Sequence, residues 1–325
     1  MITKEIISKS IDEAIWKCKP KFESMHTPKQ IAKYFKLDYE LIDSSKNNIP
    51  VHTLWAPDLT EGNIHKFTDP NNDDCPIYVP DSIFERKTGL LTSDWYENEF
   101  PQQLEESEWT SDEISEAVTD STYPLKQFIK DYNDLPMNIK SSIGNLVFHS
   151  YESENSSGQF TELSDNGKGN IILFRNCIEK EGFRGSIMSN PRKTFFHEAT
   201  HSFASSVALK TPKPYDFVHS AEYLAGTKDY KKARREDKKL NGDKYATVYG
   251  RSAKSFVEEQ ADVGSAMLLK SLSKNDPEYN TYKMELAKGY KRPYNEDDYL
   301  SVDDFLKRYP NRVSMLNKYM SLDLD

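Results

Sequence analysis

Cysteine is nearly absent. The 325 residues contain three, Cys18, Cys75 and Cys177, far apart and with no Cys-x-x-Cys pair among them. That scarcity excludes a disulfide framework and leaves the three as reduced or incidental thiols. Long apolar runs are missing as well. The greasiest stretches, Ile171 to Phe174 and Ala266 to Leu269, are one turn or one strand long, whereas a spanning helix needs about 18 consecutive apolar residues. The opening MITKEIISKSIDEAIWKCKPKF scatters charge through the region where a secretory leader needs an unbroken apolar core, which predicts no cleaved signal. Positive charge is in deficit too, with 43 Lys+Arg against 52 Asp+Glu, a net charge of -9 and a pI near 5.4. A nucleic-acid backbone is therefore not the expected partner.

What is present points to an ordered, water-facing protein. Charged residues reach 29% and mean hydropathy is -0.76, yet aromatics make up 12%, too many for a disordered chain. At more than twice a typical domain length, the chain predicts two domains. There is no internal repeat and no low-complexity tract.

The first 125 residues predict helices over Thr3 to Lys17 and Pro28 to Phe35. A Pro, Asp and Asn-rich middle runs from Asn47 to Asp81, with short isolated strand pieces at Val51 to Trp55 and Ile77 to Val79. The acidic stretch from Glu105 to Asp120 reads as a solvated helix face or a linker, a natural place for a boundary. From residue 125 the pattern tightens. A helix from Leu125 to Tyr132, a Leu135-Pro136 break, a helix toward Ile143 and a strand from Asn145 to His149 are predicted. A Ser, Gly and Asn-rich loop (Glu152 to Asn170) and a strand from Ile171 to Phe174 follow. Asn190-Pro191 then opens a helix that runs to about Lys210, with Pro at the first helical position where its missing N–H costs nothing.

That helix carries the strongest chemical signal, His197-Glu198-Ala199-Thr200-His201. Two imidazoles four residues apart lie on nearly the same side of a helix, so both reach one ion. Phe196, Ala199, Phe203 and Val207 supply a buried stripe beside them. Imidazole nitrogens suit zinc, and a catalytic zinc takes three protein ligands and leaves one position to water, for which Glu198 is the expected general base. One zinc per chain is expected.

A second helix, Ser255 to Lys270, offers the third ligand. Glu258 and Asp262 stand one turn apart, so that Glu258 can bind the ion while Asp262 accepts the outer ring N–H of a ligating histidine. Two alternatives stand beside this reading. Ser255-Phe256-Val257-Glu258 is also a capping box, in which Glu258 turns back to the Ser255 N–H, and Glu259 is the next carboxylate in line.

The segments HEATH, Tyr249-Gly250-Arg251-Ser252 and Glu258-Glu259-Gln260-Ala261-Asp262 resemble the catalytic domain of anthrax lethal factor-like zinc metalloproteases, over residues 135 to 275. Asp262 stands where that family has Glu. The resemblance implies His197, His201 and Glu258 as ligands, Glu198 as base, Tyr249 as the phenol that steadies the oxyanion, and Asp262 as the acid behind a ligand histidine. A phenol also suits that task on its own chemistry, since it stays protonated at neutral pH; Tyr245 is the alternate.

A rival ligand set begins at Gly226-Thr227-Lys228-Asp229, which resembles half of the aspzincin motif and would make Asp229 the third ligand. The Lys and Arg-rich segment from Lys228 to Lys244 otherwise reads as a solvated helix, and His219 as a loop residue.

The expectation is an α+β protein. Residues 126–325 form a zincin-like metalloprotease domain, an active-site helix on a small mixed sheet, and residues 1–125 an N-terminal domain that selects the protein substrate. The implied activity is zinc-dependent cleavage of a protein or peptide, with no nucleic-acid partner. The alternative is an interaction module with a vestigial zinc site, against which the acid between the two histidines argues. Such domains occur in toxins and injected effectors, which together with the missing signal suits a cytosolic protein or non-classical export.

Overall fold

A computed structural model describes residues 28–43, 63–70, 72–80, 125–149, 158–162, 168–174, 191–211, 217–277, 279, 282–286 and 299–324. Within them the chain is α+β. In chain order the elements are α1 (Pro28–Phe35), β1 (Asp38–Asp43), β2 (Asn63–Asp69), β3 (Asn72–Pro80), α2 (Leu125–Asp134), α3 (Met137–Lys140), β4 (Ile143–Phe148), β5 (Gly158–Glu162) and β6 (Gly169–Leu173). There follow α4 (Pro191–Leu209), a 3-10 turn (Phe217–Glu222), α5 (Tyr223–Gly226), α6 (Lys228–Asn241), α7 (Val248–Ser252), α8 (Phe256–Ser273), β7 (Lys283–Glu285), β8 (Tyr299–Ser301), α9 (Val302–Arg308) and α10 (Pro310–Met320). Six strands form one mixed sheet in the order β1-β2-β3-β4-β6-β5, and β7 and β8 form a separate antiparallel pair.

The chain divides into two compact units that interleave in sequence. The first comprises Met1–Asp131, Asn145–Ser157 and Ile172–Pro191, the second Tyr132–Gly144, Gly158–Ile171 and Arg192–Asp325. In the first, β1, β2 and β3 form an antiparallel meander whose register slips between Phe67 and Asp69, and β3 pairs in parallel with β4 through Ile77–Leu146 and Tyr78–Val147. Ile42, Ile64, Tyr78, Val147, Ile172 and Phe174 make its core. Ile77 to Val79, expected as an isolated piece, thus belongs to a nine-residue strand hydrogen-bonded on both sides. The Asn-Asp-Asp start and the internal Pro76 hide it, because they break the period-two pattern.

The second unit is built on two helices buried nearly all round. Every residue of α4 from Phe195 to Ser206, and every residue of α8 from Glu259 to Leu269, is buried. Of the stripe expected on α4, Phe196, Ala199 and Phe203 are buried and Val207 is only half-buried, and the stripe is too narrow, since Phe195, Ser202 and Ala204 on other faces are covered as well. Gly264 of α8 is what lets the two helices approach. A Cβ at that position falls inside contact distance of the Thr200 methyl and 2.8 Å from the Thr200 hydroxyl. Ser265 adds a bond from its hydroxyl to the Lys193 carbonyl, 3.2 Å. The loop expected over Glu152 to Asn170 contains β5, and Met137–Lys140 is the single turn that remains of the helix predicted toward Ile143. Thr3 to Lys17, Val51 to Trp55, Cys18, Cys177 and the Glu105 to Asp120 stretch lie outside the described residues, while Cys75 is a buried thiol. Among the described residues no helix is long and apolar enough to cross a membrane.

Candidate metal centre

Local sequence explains how each side chain arrives. Pro191 opens α4, and six residues later His197 and His201 lie one turn apart on one side of that helix. Ser255 caps α8, its hydroxyl accepting from the N–H groups of Val257 (3.2 Å) and Glu258 (3.3 Å). The reciprocal half of a capping box is not made. The Ser255 N–H donates instead to the Gly250 carbonyl at 3.0 Å, and the Glu258 carboxylate turns to the histidines.

Three donor atoms converge. Glu258 Oε2 lies 2.9 Å from His197 Nε2 and 3.4 Å from His201 Nε2, and the two imidazole nitrogens are 3.1 Å apart. In the neutral ring His197 spends its one N–H on Asp262, so its Nε2 faces the gap as a lone pair, and the short distance to His201 Nε2 is bridged either by a proton or by a metal. A tetrahedral zinc with ligands at about 2.0–2.1 Å requires donor-to-donor separations of ~3.3 Å, close to all three edges. The donor set therefore fits the ion, with His197, His201 and Glu258 as the residues that would hold it.

The surrounding groups fit as well. Asp262 Oδ1 lies 3.0 Å from His197 Nδ1; a carboxylate only accepts, so His197 donates from Nδ1 and leaves Nε2 for the ion. Burial disfavours charge on both carboxylates, but the interactions around them win. Lys193 and the His197 bond hold Asp262 below its ordinary value, and bonds from His197 and His201 hold Glu258 well below the usual carboxylate range. The same bonds act on His197, where burial lowers the pKa but Asp262 and Glu258 overcome it and raise it to about 10.

Glu198 is buried between the two histidines in sequence. Burial first, and the Glu258 charge after it, raise its pKa, opposed by both histidines and by a bond from the Phe160 backbone. That bond comes from β5. Phe160 also stacks on His201, ring centroids 6.2 Å apart, and Gly158 runs so close to α4 that a Cβ there meets Thr194 at 2.7 Å and Glu198 at 3.2 Å. Gly158 and Phe160 were not anticipated; their one signal was a short alternation, Gly-Gln-Phe-Thr-Glu, within a loop-like composition.

Tyr249 stands in α7 with its ring 5.6 Å from His197, edge to face, and remains 45% exposed. Burial and the charges of Glu258, Glu198 and Asp262 push its pKa up to about 12, so the phenol keeps its proton. Tyr245, the alternate, stacks on Phe256 at 5.2 Å. Glu259 is not a ligand. It is fully buried and accepts from Arg234 Nε (2.8 Å), Arg312 Nε (3.1 Å) and the Ala246 N–H (2.8 Å). Asp229 lies exposed in the first turn of α6 and is not in the donor cluster, and His219 falls in the 3-10 turn Phe217–Glu222 and not in a loop.

The chain matches no family model, no curated protein and no solved structure.

Because metal-free His197 holds a proton at neutral pH and a ligand must be neutral, zinc uptake at pH 7 is expected to release about one proton from this residue. Zinc affinity should then rise by about tenfold per pH unit from pH 7 upward. Titration calorimetry in buffers of different ionisation enthalpy measures the release. A buffer-independent heat at pH 7 would contradict the imidazolium.

Proposed function

We propose that this protein is a zinc-dependent endopeptidase of the gluzincin type, similar in its site to the lethal factor-like proteases, with a zincin-like second unit. The observation that carries the reading is the convergence of His197, His201 and Glu258 with a buried carboxylic acid, Glu198, held against the same cluster.

A zinc ion held by these three residues supplies Lewis acidity, polarising a peptide carbonyl and making a water molecule acidic. Everything else belongs to the chain. Glu198, with a raised proton affinity, is the base that takes a proton from the attacking water and then returns it to the departing amine. Tyr249 keeps a donor O–H beside the site, available to the oxygen on which charge develops. Asp262 fixes the tautomer and ring angle of His197. Catalysis explains Glu198 better than a binding-only site does, since holding an ion needs the histidines but no acid between them.

Zinc content and casein cleavage of the purified chain test this. We expect one zinc per chain, activity lost to a chelator and restored by one equivalent of zinc. Glu258→Ala should lose both metal and activity, whereas Asp229→Ala should keep both. The reverse pattern, with Asp229→Ala losing the metal, replaces the gluzincin reading by the aspzincin one; full zinc content with no cleavage leaves a binding module.

A further inference from the structure

Helix α6 carries charge that the site does not use. Lys228, Lys231, Lys232, Arg235, Lys238 and Lys239 are all exposed. At 100° per residue they fall within an arc of about 120°, a single stripe about 16 Å long. The opposite face is fixed. Tyr230, Ala233 and Asp237 are buried, and Arg234 reaches in to Glu259, the neighbour of the ligand Glu258. Stripe and metal centre therefore belong to the same compact unit. Among the described residues only Lys239 of the six has an ion-pair partner, Glu236 at 3.0 Å.

The stripe works against its own helix. Lys228–Lys232, Lys231–Arg235 and Arg235–Lys239 are like-charge pairs at i,i+4, which destabilise a helix, and three lysines crowd the first turns, where the helix dipole disfavours cations. The rest of a chain with net charge -9 is more acidic still. Solubility is served by that acidity and does not need a cationic row.

We propose that this face of α6 is a docking surface for an acidic polypeptide segment whose carboxylates recur at helical spacing. A helix with Asp or Glu one turn apart repeats at the same 5.4 Å pitch and meets the row in register along its length. The width of the stripe selects against broader anions. Exposed Asp229 and part-exposed Glu236 stand on one side of it, about 40–60° around the helix beyond the Lys232 edge, where a phosphate duplex or a lipid headgroup plane overlapping that edge would place negative charge.

The probe is a fluorescein-labelled 20-residue helical peptide with Glu at i, i+4 and i+7, read by anisotropy against the full chain at 50 and 300 mM salt. We expect binding that weakens with salt, and no binding of the same peptide with Gln for Glu. The quadruple change Lys231→Glu, Lys232→Glu, Arg235→Glu and Lys238→Glu should weaken binding at least tenfold. Arg at the three lysine positions should preserve it, with an unchanged circular dichroism spectrum as the folding control. Equal affinity of parent and reversed chain would overturn the proposal. So would tighter, stripe-dependent binding of a 20-bp RNA duplex or of vesicles with 30% phosphatidylserine. The readout is binding alone, so the proposal does not depend on the proteolytic reading.

Discussion

A chain carrying Glu198→Gln is expected to keep its zinc and its fold and to lose peptide hydrolysis by about 10²–10⁴-fold, the usual contribution of a positioned proton acceptor. The amide has nearly the shape of the carboxylate, so the packing of Gly158 against residue 198 is preserved. It can still accept from the Phe160 N–H. What it cannot do is take a proton from water. Because residue 198 is not among the three converging donors, zinc content should stay at one per chain. The buried acid also has an unfavourable charge in the metal-free protein, which explains its raised pKa; a neutral amide removes that cost. The variant should therefore unfold at the same urea concentration as the parent or a slightly higher one. Metal content, urea midpoint and turnover on one preparation decide the matter: unimpaired turnover removes Glu198 from the chemistry, and lost zinc assigns it to the ligand set.

The donors of the site were legible because each belongs to a local pattern. The spacing of His197 and His201, and of Glu258 and Asp262, is a property of one helix turn, and the structure brings these four together as that spacing implies. The third-ligand choice was not local. The one-turn spacing to Asp262 favours Glu258 in sequence but does not exclude Glu259, and the two separate because Glu259 points to the side of α8 where Arg234 and Arg312 lie, a contact across 53 residues in the case of Arg312. Phe160 and Gly158 were missed for a similar reason, since a five-residue strand in a Ser and Gly-rich segment is stabilised by pairing that propensity does not report. Strands β1 and β2 were passed over for the same cause. Each reads as polar by itself and gains its place from the registered pairs Ile42–Ile64 and Tyr39–Phe67.

The buried network around Arg312 should have the largest effect on stability. The Arg312 side chain is fully buried on α10, yet it donates from Nε to Glu259 and from Nη1 to Asp237, 3.1 and 3.2 Å. Asp237 also accepts from the N–H groups of Asn311 and Arg312, each at 3.0 Å, and Glu259 from Arg234 and Ala246. Two guanidinium groups thus balance two carboxylates. Arg312→Ala leaves both acids buried with one cation between them, a loss that typically costs about 3–5 kcal/mol. In a unit of this size that corresponds to a fall in Tm on the order of 10 °C. Arg312→Lys should recover little, because one ammonium cannot serve two carboxylates as a planar fork does. The cause can be separated from lost packing by a second change. Asp237→Asn in the Arg312→Ala background removes the carboxylate left without a cation while keeping the volume, since Glu259 still has Arg234, so the double variant should be more stable than Arg312→Ala alone, a coupling visible in a double-mutant cycle. If Arg312→Ala unfolds within about 1 kcal/mol of the parent, the range of an exposed pair, or if the two changes simply add, the network is not what anchors α10 to the first turn of α8.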